Sequence, residues 1–205
     1  MNSSLDEPTR VAEVPPRQVI GALFRETCAW LSQQGLVDVI LADVPPETQA
    51  LIKRPPFALR WVPGRAVDDI SEAIARHSGL TGCRTMGQAV TRELTKLMVM
   101  PLIRAAFLMF GESAETMFMN VDRFYATATR GIHFSYLRLS PGAGRLYARF
   151  EGGGLGPPSF AVIQGTMQWI FDDLLRTQGT VHEAVVNERT EQQAQVHYDI
   201  TFGAS

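Results

Sequence analysis

The segment that ends the chain, residues 193–202, constrains the fold more than any other part of the sequence. Apolar residues alternate there with polar ones without a break, and they are Ala194, Val196, Tyr198, Ile200 and Phe202. A period of two residues is typical of a strand that buries one of its faces. The segment therefore predicts a sheet with one side packed against other elements and one side in water.

A β-hairpin is predicted earlier in the second half. Residues 132–137 and 145–150 alternate in the same way, and the turn sequence Pro-Gly-Ala-Gly at 141–144 separates them. Two such runs joined by a short turn are typical of paired antiparallel strands.

A helix and one more strand connect this hairpin to the last segment. A glycine loop at 152–158 leads to Ser159, which we expect to cap a helix that runs to about Thr177. Residues 181–187 then form a short strand. The second half is therefore predicted as β-β-α-β-β, a four-stranded antiparallel sheet packed on helices.

The first half of the chain is predicted to be helical. Apolar residues recur at helical spacing over about 65–78, 85–110 and 113–129. We expect the second of these helices to bend at Pro101, whose ring removes a backbone hydrogen bond. Acidic residues at 68–69 in the first of them fit the positive end of the helix dipole. The fold class is therefore α+β.

Length and composition favour one domain. The chain has 205 residues, of which 45% are hydrophobic and 20% charged, and single cores of this size are common. We expect residues 1–16, which are polar and rich in proline, to be a disordered lead-in and residues 17–205 to form the domain. The net charge of −2 leaves no basic excess for phosphates, which argues against nucleic acid as a partner.

A cytoplasmic protein without a membrane span is expected. The polar N-terminus lacks the apolar core of a signal peptide, and two cysteines are too few for a disulfide framework. The apolar run Leu97–Phe110 has 14 residues and contains Arg104. Because a membrane span needs about 20 apolar residues, a buried helix explains this run better.

Motifs for catalysis or metal binding are missing from the sequence. His182-Glu183 begins like the zinc motif HExxH, but Val186 occupies the place of the second histidine. The glycine loop at 152–158 has no lysine of the kind that phosphate loops use. We therefore expect a protein that is not an enzyme and that holds no metal.

The central helices are rich in methionine and phenylalanine, and these side chains are the candidates for a ligand pocket. Flexible thioethers adapt to variable apolar ligands, although a filled core needs the same residue types. Both alternatives remain open at the level of sequence. The candidates are Cys83, Met86, Met98, Leu102, Phe107, Phe110, Met117, Phe118, Phe124 and Met167.

The order of elements resembles a known group of proteins. The segments VIGALFRETCAWL (19–31), LADVPPETQALI (41–52) and QVHYDITF (195–202) are similar to a myxobacterial family of about 200-residue proteins. That family resembles the superfamily of heme–nitric-oxide-binding domains, vinyl-reductase-type domains and Golgi-tethering (TRAPP-like) subunits. The resemblance implies a signalling or sensory module that binds a small apolar ligand or an acyl chain, and it implies a homodimer with a protein partner. An adaptor or dimerising scaffold without a cavity is the alternative.

The same resemblance can be tested on individual residues. Heme-binding relatives bind the heme propionates with the motif Tyr-x-Ser-x-Arg. The nearest stretches in this sequence, at 136–138 and 147–149, lack the serine and do not have the spacing of that motif. We therefore expect no cofactor and disfavour heme. Cys83 stands where Golgi-tethering subunits carry an acylated cysteine, so it is either an acyl site or a small buried residue.

Overall fold

The structure, a computed structural model, describes residues 17–203. The predicted lead-in at 1–16 lies outside the described residues. The helices are α1 (Gly21–Gln33), α2 (Val37–Asp43), α3 (Pro46–Lys53), α4 (Arg65–Leu94), α5 (Met100–Phe110), α6 (Ala114–Tyr125) and α7 (Pro157–Trp169). The strands are β1 (Gln18–Ile20), β2 (Trp61–Pro63), β3 (Thr129–Arg130), β4 (Ile132–Ser140), β5 (Ala143–Glu151), β6 (Gly179–Val181), β7 (Val185–Arg189) and β8 (Gln193–Phe202).

The α+β architecture predicted from the sequence is confirmed. Helices occupy most of the first half, and an antiparallel sheet in the order β4-β5-β8-β6 occupies the second, with α7 between its two pairs of strands. The predicted buried face is also correct, because Tyr198 and Ile200 are fully buried. Tyr198 Oη donates a hydrogen bond of 3.0 Å to the carbonyl oxygen of Phe160 on α7, which ties the sheet to the helix above it.

The number of strands in this sheet was predicted wrongly, since it has five and not four. The segment expected as one strand at 181–187 forms β6 and β7, which pair with the same edge of β8. Val181 pairs with Ile200 and Val185 with His197. Between these two pairs, the segment that contains β6 and β7 advances by four residues while β8 advances by three. One extra residue therefore bulges between them and divides the strand, which periodicity alone does not reveal.

A second, small sheet joins the two halves and was not predicted. β1 pairs with β2 on one side and with β3 on the other, all antiparallel. The alternating and helical patterns of the sequence indicated no strand where β2 lies, and they predicted the end of a helix where β3 lies. Gly131, with φ +73°, separates β3 from β4, and a positive φ of this kind suits glycine.

The long central helices differ in detail from the prediction. α4 kinks at Gly79, where φ is +66° and ψ −174°, and resumes directly after it instead of at residue 85. A π-helical segment, Thr95–Val99, separates α4 from α5. Pro101 cannot donate to the carbonyl of Leu97 and its ring crowds that carbonyl, so the irregular turn lies just before the proline.

The serine caps of two helices differ from the prediction, because Ser159 was expected to cap α7 and does not, whereas Ser113 caps α6. Ser113 Oγ accepts a hydrogen bond from the backbone N–H of Thr116 at 3.1 Å and caps α6. The residue at the start of α7 is Gly156, and prolines fill the first helical positions. Ser159 lies inside α7, where its hydroxyl is used elsewhere.

α4 and α7 pack closely enough that their backbones touch. A Cβ built on Gly87 of α4 would lie 2.9 Å from the carbonyl carbon of Val162, and one built on Gly165 of α7 would lie 2.7 Å from that of Arg84. Carbon atoms in contact normally stay about 3.5–4.0 Å apart. Each helix therefore needs a glycine where it crosses the other.

One helix, α5, exposes several of its apolar side chains. Among residues 17–203, no helix has both the length and the apolar character that a membrane crossing requires. On α5, Ile103 and Ala106 are buried, whereas Leu108, Met109 and Phe110 are 60–89% exposed. This helix thus presents an apolar side to the outside.

Candidate functional site

A cavity of about 140 Å³ lies between the two halves of the domain. Its walls come from β1, α1, α4, α6 and α7, with contributions from the ends of β4 and β5. One hydrophobic cluster, made of the sheet, α6 and α7, borders it on one side, and a second cluster, made of α1 to α4, borders it on the other. The wall is mainly apolar, and three small groups of polar side chains interrupt it.

The first polar group is a buried ion pair. The Arg17 guanidinium contacts the Asp68 carboxylate on α4, where Nη1 and Oδ1 are 3.4 Å apart, and Ser159 Oγ of α7 donates to the same Oδ1 at 3.0 Å. Burial raises the pKa of Asp68, while Arg17 and Ser159 act against that rise. These contacts join the start of the described chain to α4 and α7.

The second polar group lies where α4 crosses α7. The hydroxyls of Thr91 and Thr166 are 3.0 Å apart, and both lie within hydrogen-bond distance of the carbonyl oxygen of Gly87, at 2.7 and 3.4 Å. Burial raises the pKa of Tyr125 beside them, with an opposing effect of a hydrogen bond to Thr166. These hydroxyls therefore have partners within the protein.

The third polar feature consists of donors without partners. Trp169 and Arg17 line the cavity with parts of their side chains. The buried Nε1 of Trp169 and the buried Nε of Arg17 have no hydrogen-bond acceptor among residues 17–203. A buried donor without an acceptor is rare and unfavourable. The Arg17 guanidinium is nevertheless engaged through its Nη atoms, which leaves the Trp169 indole as the donor with no protein bond.

The structure places four of the ten candidate pocket residues on the cavity wall, namely Met86, Met117, Phe124 and Met167. The remaining six lie elsewhere. Phe118 is buried in the core, and Met98 and Phe107 pack partly buried against it. Leu102 and Phe110 face outward, 38% and 60% exposed.

Cys83 is the sixth of these residues. It is fully buried in the cluster of the first half, and its Sγ donates to the carbonyl oxygen of Ser71 at 3.3 Å. Burial raises the pKa of the Cys83 thiol to about 11. Ser71 lines the cavity and Cys83 does not, so the protein surrounds this thiol on every side.

The polar residues of the site were missed at the level of sequence. Asp68 was interpreted as a helix-dipole residue, but it is buried with Arg17, and Asp69 is buried as an acceptor for Thr48 at 2.7 Å. The sequence did contain one sign of this burial, since Asp68 and Asp69 are adjacent in a helix that buries apolar residues. Trp169 could have been noticed as a bulky polar-tipped residue on the apolar α7.

The fold is similar to that of proteins of known structure. No protein-family model matches the chain, and no curated protein matches it significantly. Solved structures do match. One is an H-NOX domain of T. tengcongensis carrying a point mutation, with a TM-score of 0.62 at 12% identity over 89% of this chain and 96% of that one. The chain has the H-NOX fold.

Two further H-NOX structures are similar to this chain in fold. A Cs H-NOX mutant with the unnatural residue 4-cyano-L-phenylalanine matches with a TM-score of 0.65 at 11% identity, over 89% of this chain and 96% of that one. An oxygen-binding H-NOX domain related to soluble guanylate cyclases matches with a TM-score of 0.60 at 11% identity, over 89% and 94%. This supports the resemblance to heme–nitric-oxide-binding domains that the sequence suggested.

The cavity of this H-NOX fold does not suit a heme. No histidine lines it, since His77, His133 and His182 are exposed and His197 lies on the outer face of the sheet. The lining contains one cation, Arg17, and Asp68 already neutralises it. Drug-sized ligands occupy pockets of roughly 300–1,000 Å³, so a porphyrin exceeds a space of about 140 Å³.

The tyrosine–arginine stretches also lie away from the cavity. Tyr136 stacks on Phe118 with ring centroids 5.8 Å apart, and Arg138 pairs with Glu115 at 3.3 Å. Tyr147 lies beside His197 on the outer face. Groups of three or more residues suited to hold a metal ion are also missing from the described part of the chain.

Proposed function

We propose that this H-NOX-like domain is a non-enzymatic sensory module that binds a small apolar molecule, other than heme, in the cavity between its two halves. The observation that carries this proposal is the cavity of about 140 Å³, whose wall is mainly apolar and comes from both halves. A cavity of about 150 Å³ lined by apolar side chains is known to stay dry and to bind benzene. The ligand would be of that size.

Energetics support a ligand in this place. Cavities in protein cores cost about 24 cal/mol per Å³, so a void of 140 Å³ costs about 3 kcal/mol. That is a large share of the stability of a typical domain, which is about 5–15 kcal/mol. A molecule that fills the void restores the lost contacts between the two clusters, and occupancy would change how firmly the halves are held together.

Methionine methyl groups offer a direct test. Toluene is the probe, and ¹³C-methyl methionine NMR is the measurement. We expect toluene to shift the methyl signals of Met86, Met117 and Met167, which line the cavity. The signals of Met109 and Met119, which are 62% and 58% exposed, serve as internal controls and should not move.

A variant that fills the cavity completes this test. Val90 lines the cavity and is 7% exposed, so Val90→Phe should abolish the toluene-induced shifts while the folded spectrum is kept. Leu108→Gln, on the exposed side of α5, is the matched control and should bind toluene as the wild type does. Binding in Val90→Phe equal to the wild type, or no shift at saturating toluene in the wild type, would refute the proposal.

A second candidate function, a scaffold that dimerises with another copy of the chain, is favoured by α5. Its side chains Leu108, Met109 and Phe110 are 60–89% exposed, and exposed apolar patches mark interaction sites. A two-fold axis brings the same patch of both copies together, and an apolar patch is complementary to itself. Light scattering should then show a dimer that Leu108→Glu converts to a monomer, and a monomeric wild type would exclude this function.

A further inference from the structure

The loop between α3 and β2, residues 54–60, presents two large apolar side chains to the outside. Phe57 is 85% exposed and Leu59 is 77% exposed, and Ala58 between them is exposed as well. A single exposed leucine is ordinary on a protein surface. Two large apolar side chains in one short loop are instead typical of an interaction site.

Backbone hydrogen bonds fix this loop against the start of α1. The first N–H groups of α1 have no side-chain cap and donate to loop carbonyls instead. Gly21 N–H donates to the carbonyl oxygen of Arg60 at 2.6 Å. Ala22 N–H donates to that of Ala58 at 2.8 Å. Gly21 permits this approach, because a Cβ there would collide with the carbonyl oxygen of Phe57. The two apolar side chains therefore extend from a backbone that the fold holds in place.

Cations flank these apolar side chains. Lys53 and Arg54 lie at the start of the loop and Arg60 ends it, and all three are exposed. Among residues 17–203, no carboxylate forms an ion pair with any of them. The stretch 48–67 contains no Asp or Glu. The loop is therefore locally positive, although the whole chain has a net charge of −2.

We propose that this loop is a contact site for the surface of an anionic phospholipid bilayer. Phe57 and Leu59 enter the boundary between headgroups and acyl chains, while Lys53, Arg54 and Arg60 stay among the anionic headgroups. A protein partner would need a preformed apolar pocket for the two side chains. A bilayer needs none, and it places negative charge directly beside an apolar interior, which is the combination that matches this loop.

The contact is separate from the ligand cavity. None of residues 53–60 lines that cavity, so this inference does not rest on the proposed function. A bilayer contact of this kind is peripheral and reversible, because two side chains bury little apolar surface. It would hold the domain at a membrane surface while the cavity stays open to its own ligand.

Sedimentation with lipid vesicles tests the proposal on the whole chain. One set of vesicles is phosphatidylcholine alone, and the other contains about 30% phosphatidylserine. At low salt the protein should sediment with the anionic vesicles and stay in solution with the neutral ones. Added salt should weaken the binding, because it screens exposed charges.

The apolar side chains are tested by a double substitution. Phe57→Ser with Leu59→Ser should lower the partition coefficient on anionic vesicles about tenfold or more, because both side chains lose their burial in the bilayer. Leu137→Ser with Leu139→Ser is the matched control. These two leucines on β4 are 48% and 52% exposed, and their replacement should leave the partition coefficient nearly unchanged.

The charges are tested in the same assay. Arg54→Gln should lower the partition coefficient about fivefold, the contribution of one cation near an anionic surface. Arg189→Gln is the control, because Arg189 on β7 is exposed and lies outside the loop. All four variants change exposed side chains, so each should keep the circular dichroism spectrum of the wild type.

Three results would overturn the proposal. The first is a wild type that binds neither kind of vesicle at low salt, which would leave an acidic protein as the partner of the loop. The second is equal binding to neutral and anionic vesicles, which would remove the role of the cations. The third is an equal loss of binding in the loop variants and in their controls, which would show that another surface meets the bilayer.

Discussion

Substituting alanine for Gly87 tests whether the close crossing of α4 and α7 holds the two halves in place. The new Cβ would lie 2.9 Å from the carbonyl carbon and 3.1 Å from the Cα of Val162, whereas ordinary carbon contacts are about 3.5 Å or longer. The helices must therefore separate by about 0.5 Å or more, because backbone atoms cannot rotate away as a side chain can.

Two opposing effects set the size of this change. Alanine stabilises a helix interior over glycine by about 1 kcal/mol, and overpacking of a well-packed core costs about 1–3 kcal/mol. We place the cost at the upper end because both atoms belong to backbones, which gives a net destabilisation of about 1–2 kcal/mol. For a domain of this size, Tm should fall by about 2–8 °C.

Calorimetry or circular dichroism measures this fall. Gly165→Ala, whose Cβ would lie 2.7 Å from the carbonyl carbon of Arg84, should behave in the same way. Gly203→Ala, where a Cβ would meet nothing within 4 Å, should change stability by less than about 0.5 kcal/mol. If Gly87→Ala melts at the wild-type temperature or higher, helix propensity outweighs packing and our account of the crossing is wrong.

Three more predictions follow from the buried groups. Tyr198→Asp should unfold the domain, since it places an unpaired charge on the buried face, while Ser135→Asp on the outer face should keep the wild-type circular dichroism spectrum; a soluble Tyr198→Asp with unchanged melting contradicts the predicted face. Asp68→Ala should cost about 3–5 kcal/mol in urea unfolding, because it leaves Arg17 buried without its partner, and the added change Arg17→Met should recover part of this loss; no recovery argues against the pair. Cys83, with its pKa raised to about 11 by burial, has about one thiolate per thousand at pH 8, so iodoacetamide should label it in urea and not in the folded protein, and labelling at equal rates excludes the buried position.

The sequence predicted the sheet well because its signal is local. The alternation in residues 193–202 identifies which side chains share a face, and burial of Tyr198 and Ile200 follows that assignment. The division of the neighbouring strand into β6 and β7 depends on one extra residue in the pairing with β8. Such a bulge is a property of two paired segments, and the period of one segment does not contain it.

The site was harder to predict because its polar contacts join distant residues. Arg17 and Asp68 are 51 positions apart, and Ser159 is 91 positions from Asp68. An acidic residue in the first turn of a helix has a sufficient local explanation in the helix dipole, so nothing in the neighbouring residues indicated a buried partner. The methionines were noticed, but whether they enclose space depends on how α4 and α7 are spaced.

The rigidity of that spacing explains why the cavity does not close. A void bordered by flexible side chains can shrink when they move, and its cost falls accordingly. Here Gly87 and Gly165 already bring the two backbones into contact, and the bonds of Asp68 to Arg17 and Ser159 join α4 to α7 and to the start of the described chain. The walls cannot approach further, so the space is formed before the ligand arrives and little reorganisation opposes binding. Gly87→Ala, which separates the walls, should therefore also weaken the binding of toluene at temperatures where the variant is fully folded, and unchanged affinity would show that the crossing does not shape the cavity.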